Sequence, residues 1–166
     1  CGIVSNHEDS KKISEWYELP FYWLPITPET KKDQESLFQA IIEDLNVDLL
    51  VLARYMQILS EEFCERLKGR AINIHHSFLP SFAGSKPYHQ AYERGVKVIG
   101  ATAHYVTPEL DAGPIIVQEV RPITHETTAE QMVHLGHDIE TTALCQAVRL
   151  HCEDRVQING KRTVIL

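Results

Sequence analysis

The chain has 166 residues, 43% of them hydrophobic, and its 16 basic and 23 acidic residues leave a formal net charge of -7. That length and apolar content fit one globular domain with an ordinary core and no internal boundary, and the acidic balance argues against broad attraction to nucleic acid or to an anionic membrane, leaving a small molecule as the expected ligand. No apolar run is long enough to span a bilayer and the first residues lack a secretory pattern, so a cytoplasmic protein is expected.

In chain order, helical and strand periods alternate. Cys1 to Ser5 reads as strand, Asn6 to Ser10 as loop, and Lys11 to Glu18 as helix. A second apolar run, Phe21 to Ile26, precedes Thr27-Pro28-Glu29, a cap with a first-turn proline, and then a long helix to about Leu45. Asp48 to Ala53 is a continuous apolar run of the kind found in a strand covered on both faces. Ser60 to Leu67 reads as a short helix with Glu61 and Glu62 in its first turn, where they suit the positive end of the helix dipole. A strand near Ala71 to Ile74 leads into a loop from His76 to Lys86. Pro87 opens a helix that Gly95 stops.

Val96 to Val106 predicts a long strand, Thr107 to Gly113 a loop, and Pro114 to Val120 another strand. The spacing predicts a helix over Thr127 to Leu150, opened by Thr127 or Thr128 with Glu130 as a partial capping-box partner. Arg155 to Leu166 reads as two short strands around Asn159-Gly160, a strong hairpin signal. Together these predict an α/β fold: an open, mostly parallel twisted sheet, Rossmann-type, with helices on both faces and a C-terminal hairpin. Ligands in such sheets bind beyond the carboxyl ends of the strands, where Asn73, His75 and the segment after Ala53 fall. There is no G-x-G-x-x-G and no phosphate-binding P-loop, so no nucleotide cofactor is expected.

Asn73-Ile74-His75 carries the most specific chemistry. Alternate side chains of a strand share a face, so an amide and an imidazole project together, and Asp111 in Glu109-Leu110-Asp111-Ala112-Gly113-Pro114 can bring a carboxylate from a separate loop. That trio suits attack on a carbonyl: the amide holds a developing oxyanion, the imidazole stabilises it or passes a proton, and the carboxylate orients or deprotonates water. Each member has a plainer reading, Asn73 as a buried amide satisfying backbone groups and Asp111 as a turn residue. His75 and His76 are adjacent and face opposite ways if the strand continues, so only one joins Asn73. The proximity of Asp111 predicts a raised pKa for His75.

His75, His76, His89 and His104 form the obvious pool for a metal, but no H-E-x-x-H is present, and a catalytic metal is not expected. His134, His137 and His151 read as a solvated helix face. Cys1, Cys64, Cys145 and Cys152 contain no C-x-x-C pair and are expected as reduced, structural thiols. No G-x-S-x-G surrounds Ser77, Ser81 or Ser85, so water is a better nucleophile than serine. Arg54 to Ser60 is either a transition from core to loop or a wall that grips a flat heterocycle, and periodicity does not separate the two.

Over VLARYMQILS (Val51 to Ser60), INIHHSFLPSFAGSKPYHQAYERGVKVIGATAHYV (Ile72 to Val106) and ELDAGPII (Glu109 to Ile116), the sequence resembles the formyltetrahydrofolate hydrolase and transformylase superfamily, in its deformylase branch. The resemblance runs through essentially the whole chain. It implies hydrolysis of 10-formyltetrahydrofolate to formate and tetrahydrofolate, within one-carbon metabolism and purine biosynthesis, with Asn73, His75 and Asp111 as the catalytic trio and no cofactor. It implies that Met56, Gln57, Ile58 and Leu59, with His104, Val106 and Thr107, contact the folate, and that Gly84 borders the site. His76, and Pro87-Tyr88-His89, stand where the glycinamide ribonucleotide transformylases carry a proline and a His-Thr-His run. The alternatives are a formyl transferase of that kind and a non-catalytic folate-binding module. The partner implied is a small-molecule folate, with no nucleic acid or membrane, and a homo-oligomer in the full-length protein. Members of this branch carry an amino-terminal ACT-type regulatory domain and a first strand ahead of the point where this chain starts, so a truncated catalytic domain is expected.

Overall fold

A computed structural model describes residues 1–25, 27, 31–79 and 87–166. The chain divides into two compact units, Cys1–Asp48 and Leu49–Leu166. In the first, β1 (Ile3–Ser5) and β2 (Phe21–Trp23) pair in parallel, Ile3 opposite Phe21 and Ser5 opposite Trp23, with α1 (Lys11–Trp16) between them in sequence and α2 (Lys31–Asp44) following. α1 ends two residues short of the expected Glu18, which takes a left-handed backbone with φ 54°. The buried Ser14 hydroxyl donates to the Leu19 carbonyl at 2.7 Å and ties the helix end to the following turn.

The second unit runs β3 (Leu50–Leu52), α3 (Glu61–Arg66), β4 (Ala71–His75), α4 (Pro87–Arg94), β5 (Val98–Tyr105), β6 (Ile115–Pro122), α5 (Ala129–Cys152), β7 (Val156–Asn159) and β8 (Arg162–Ile165). Its four-stranded sheet has the order β3-β4-β5-β6. β3 and β4 are parallel, whereas β5 is antiparallel to both β4 and β6, so the parallel pairing expected for the first half gives way at β5. The short Val106–Pro114 loop accounts for the antiparallel β5–β6 pair, because it reverses the chain directly, whereas β4 and β5 are antiparallel although α4 lies between them in sequence.

Strand parity builds the core. Ile72 and Ile74 of β4 and Ile99, Ala101, Ala103 and Tyr105 of β5 share one face, and α5 lays Met132, Ile139, Ala143, Ala147 and Leu150 against it. Ala101, Ala103, Ala143 and Ala147 are all fully buried, and their small side chains let helix and sheet backbones approach closely. Asn73, His75, Thr102 and His104 therefore occupy the opposite face.

Local signals explain most of the element ends. Ser60 caps α3, its hydroxyl accepting from the Phe63 N–H at 3.2 Å, with Glu61 and Glu62 in the first turn. Thr128 caps α5, but its capping-box partner is Gln131 rather than Glu130: Gln131 occupies the third helical position, from which its side chain reaches back to the Thr128 N–H at 2.9 Å. Asn159-Gly160 turns the β7–β8 hairpin, with Gly160 at φ 62°. β3 is shorter than expected and Val51 is 39% exposed, because β3 forms an edge of its four-stranded sheet rather than a strand covered on both faces. Pro28 and Glu29 of the expected α2 cap, and Pro80 and Gly84 of the expected loop, lie outside the described residues. No helix among the described residues is long and apolar enough to cross a membrane.

Candidate active site

The antiparallel register of β4 and β5 sets Asn73 opposite His104 and His75 opposite Thr102. All four lie on the sheet face away from α5, and a register shift in the β5–β6 ladder between Ala103 and His104 falls at the same point. Such irregularities bend a strand locally and re-aim its side chains. Beyond Tyr105 the chain leaves the ladder, and the Val106 N–H still donates to the Ala71 carbonyl at 2.9 Å, which holds the beginning of the following loop at the start of β4.

Asp111 sits on that loop with φ 53°. Aspartate tolerates the left-handed region better than most residues, and the conformation turns its carboxylate back toward the sheet. Gly113 lets the loop close: a Cβ there would fall 1.7 Å from the Tyr105 carbonyl oxygen, so no other residue permits this approach.

The result joins residues from two separate stretches of sequence. Asp111 Oδ2 lies 3.2 Å from His75 Nδ1, and Asp111 Oδ1 lies 3.6 Å from His104 Nε2. Asn73 Nδ2 lies 3.3 Å from the same His104 Nε2. The tautomers follow from the partners. His104 Nδ1–H donates to the Tyr105 carbonyl at 2.9 Å, so its Nε2 carries the lone pair and accepts from the Asn73 amide. Asn73 then keeps a second N–H for another acceptor. At His75, Nδ1–H donates to the Asp111 carboxylate, which leaves Nε2 as the basic nitrogen. That Nε2 is buried and has no hydrogen-bond partner among the described residues.

The raised pKa expected for His75 is overturned. Burial dominates and lowers it from its ordinary value; the Asp111 carboxylate opposes this, while His76 and His104 add to the lowering. The side chain is only 12% exposed, so desolvation of an imidazolium outweighs one nearby carboxylate. The relation between His75 and His76 also differs from expectation. β4 ends at His75, the alternation of faces stops there, and the two rings stack with centroids 4.7 Å apart and 21° between their planes.

Other expected site residues fall in distinct places. The parallel register of β3 with β4 carries the Met56–Leu59 segment off the same edge of the sheet as His75. There Met56 and Ile58 are 72% and 71% exposed, while Gln57 and Leu59 are half-buried. Val106 and Thr107 are half-buried at the start of the Asp111 loop, and the Thr107 hydroxyl donates to the Glu109 carbonyl at 3.0 Å. His104 is buried within the sheet and accepts from Asn73, with its Nε2 3.6 Å from Asp111 Oδ1. His134 and His137 are exposed, but His151 is not part of a solvated face: its Nδ1 lies 2.8 Å from the Tyr105 hydroxyl. Only Cys64 of the four cysteines is buried.

Two supporting residues were not legible in the sequence. Thr102, fully buried, donates to the Ser77 carbonyl at 3.0 Å and accepts from the Leu79 N–H at 3.1 Å. Gln118, opposite it on β6, donates to Thr102 Oγ1 at 3.0 Å and to the Leu79 carbonyl at 3.1 Å. The pair pins the Ser77–Leu79 segment that follows His75 and His76. The only signal for it is cross-strand register, which a single sequence does not display.

A cleft of about 490 Å³ borders Asp111 and extends to the β7–β8 turn at Lys161 and Arg162. Its size is in the range of about 300–1,000 Å³ usual for small-molecule sites.

The sequence matches the formyl transferase family over residues 4–148. It is 52% identical over 165 residues to a protein of Corynebacterium sp. (strain P-1) named formyltetrahydrofolate deformylase, covering 99% of this chain and 58% of that protein. The crystal structure of formyltetrahydrofolate deformylase from Burkholderia mallei ATCC 23344 superposes with a TM-score of 0.94 at 52% identity, covering 99% of this chain and 59% of that one. That of phosphoribosylglycinamide formyltransferase from Anaplasma phagocytophilum superposes with a TM-score of 0.89 at 33% identity, covering 99% and 80%. The chain thus spans less than two thirds of the length of the deformylases it matches. These neighbours share its α/β class, a mixed sheet with helices on both faces and a closing hairpin. With a match across most of its length and the same fold, the chain belongs to the formyl transferase family.

Proposed function

We propose that this chain carries the catalytic machinery for hydrolysing 10-formyltetrahydrofolate to formate and tetrahydrofolate, with no cofactor. The observation that carries the reading is the convergence of Asn73, His75 and Asp111, the last two 3.2 Å apart, beside a cleft large enough for a small molecule. In this reading water adds to the formyl carbon. Asp111 holds His75 with Nδ1–H toward the carboxylate, and Nε2 takes a proton from the attacking water. The free N–H of Asn73 donates to the oxyanion of the tetrahedral intermediate. The bond from the formyl carbon to the folate nitrogen then breaks, and the proton held on His75 passes to that nitrogen. Because His75 is held neutral by burial, it enters the cycle as a base rather than as a preformed imidazolium.

The 52% identity to proteins named deformylase favours water as the formyl acceptor. A second reading, transfer of the formyl group to an amine, is supported by the likeness to the Anaplasma phosphoribosylglycinamide formyltransferase. Formate release from 10-formyltetrahydrofolate, measured with no amine present, separates the two. Steady formate production is expected; formyl transfer to an added amine with no formate in its absence would sink the hydrolytic reading.

A further inference from the structure

His76 takes no part in the proposed hydrolysis, yet its place is fixed from both sides. Before it, β4 ends at His75, which sits opposite Thr102 in the sheet. After it, the Ser77 carbonyl accepts from the Thr102 hydroxyl at 3.0 Å, and Gln118 donates to that same hydroxyl at 3.0 Å. One residue thus joins a strand end to a pinned segment. Its ring lies over that of His75, with centroids 4.7 Å apart and 21° between the planes. The His76 Nε2 is buried and has no hydrogen-bond partner among the described residues, so no bond from that nitrogen directs the ring. What His76 offers its neighbour is a flat face.

An imidazole turns about two bonds, and the outer one has a broad, roughly two-fold preference, so the rotamer alone leaves the ring plane loosely set. The Asp111 contact at 3.2 Å fixes where His75 Nδ1 points but lets the ring tilt about that contact. A second flat ring packed against the first restrains the tilt. We infer that His76 is a positioning residue for His75: its stacked ring, together with the Asp111 carboxylate, sets the direction in which His75 Nε2 meets the attacking water. This rests on the hydrolytic reading above and adds to it a second restraint on the base. The stack also has an electrostatic consequence. The charged groups facing His75 are Asp111, which favours its imidazolium, and His76 and His104, which disfavour it. An uncharged ring in place of His76 would remove one of the two opposing groups while keeping His75 covered.

The test compares His76→Ala, which removes the ring, with His76→Phe, which keeps a flat ring without nitrogen. Formate release from 10-formyltetrahydrofolate is followed against pH with the full chain. His76→Ala should lower kcat roughly tenfold with KM nearly unchanged, a smaller loss than that of Asp111, because the carboxylate contact remains. His76→Phe should bring kcat back to within about threefold of the parent, since the packed face is retained. Its acid limb should move up by about half a pH unit, the scale of one like charge removed at such a distance in water. Should the larger ring abolish folding, seen by circular dichroism, His76→Asn supplies a smaller planar group, and the same rescue is expected.

Near-parent kcat in His76→Ala overturns the positioning role and leaves the proposed function standing. A folded planar variant as slow as His76→Ala overturns it too, because the ring nitrogen rather than the stacked face would then matter. A rise in KM at constant kcat would make His76 a ligand contact instead. If the parent releases no formate, the hydrolytic reading fails, and NMR of the His75 ring protons decides the stack by itself. An upfield shift from the neighbouring ring, kept in His76→Phe and lost in His76→Ala, supports it; no such shift in the parent overturns it.

Discussion

The side-chain nitrogen of Asn73 lies 3.3 Å from Nε2 of His104, whose other ring nitrogen is committed to the Tyr105 carbonyl. A buried imidazole thus fixes which end of the Asn73 amide is the donor, and keeps one N–H pointed away for an oxyanion. His104→Ala should release that amide and lower kcat by roughly tenfold or more, with KM for the folate nearly unchanged. Steady-state kinetics, with circular dichroism to confirm folding, measures this. A rise in KM at constant kcat would mean that His104 contacts the ligand instead.

Asn73→Ala removes the proposed oxyanion donor itself. Loss of one such donor typically costs about 2.7 to 4 kcal/mol of transition-state stabilisation, so turnover should fall by ~100-fold or more with little change in folate affinity. Near-normal turnover would remove Asn73 from the mechanism.

The pH dependence follows from the direction of the His75 shift. Burial lowers its pKa below the ordinary 6.5, and the neutral ring is the active base. Activity should therefore be low in acid, rise as pH climbs through that lowered value, and stay level across neutrality. Asp111→Asn removes the carboxylate that opposes the lowering, so the acid limb should move to still lower pH while kcat drops about 100-fold or more. An acid limb that moved upward in this variant would reverse the assignment of the two groups.

Gly113→Ala tests how the Asp111 loop is closed. The added methyl would meet the Tyr105 carbonyl oxygen at 1.7 Å, and backbone on both sides must shift. A loss of about 2 to 3 kcal/mol in urea unfolding is expected, with loss of activity as Asp111 is carried away from His75. Unaltered stability would show that the loop has another way to close.

Thr102→Val replaces a fully buried hydroxyl by a methyl of similar shape. It leaves the Leu79 N–H without that acceptor and the Ser77 carbonyl without that donor, a cost of about 1–3 kcal/mol for buried groups so orphaned. Thermal unfolding measures the loss. Because the same bonds hold the segment after His75, kcat should fall as well, and a stable but fully active variant would separate Thr102 from the site.

Legibility depended on how local each cause was. The shared face of Asn73 and His75 needs only the two-residue period of a strand. Ser60 before α3 and Asn159-Gly160 in the last hairpin act through bonds and dihedrals within a few residues, and the structure carries both. Gln131 displaced Glu130 as cap partner because the helix starts one residue later than the earlier of the two expected caps. Thr102 and Gln118, by contrast, gain their meaning from strands that meet across the sheet, and nothing in either residue's own neighbourhood marks it.

By itself the sequence determined the alternation of helices and strands, the polar pair at the end of β4 and the separate loop bearing Asp111, because periodicity, capping and turn chemistry are short-range. Only the tertiary structure decided that β5 runs antiparallel, that His104 meets the Asn73 amide, and that burial lowers the His75 pKa where the Asp111 carboxylate alone would raise it. Those outcomes depend on register and burial, and the cost of desolvating an imidazolium exists only once the surrounding chain has packed around it.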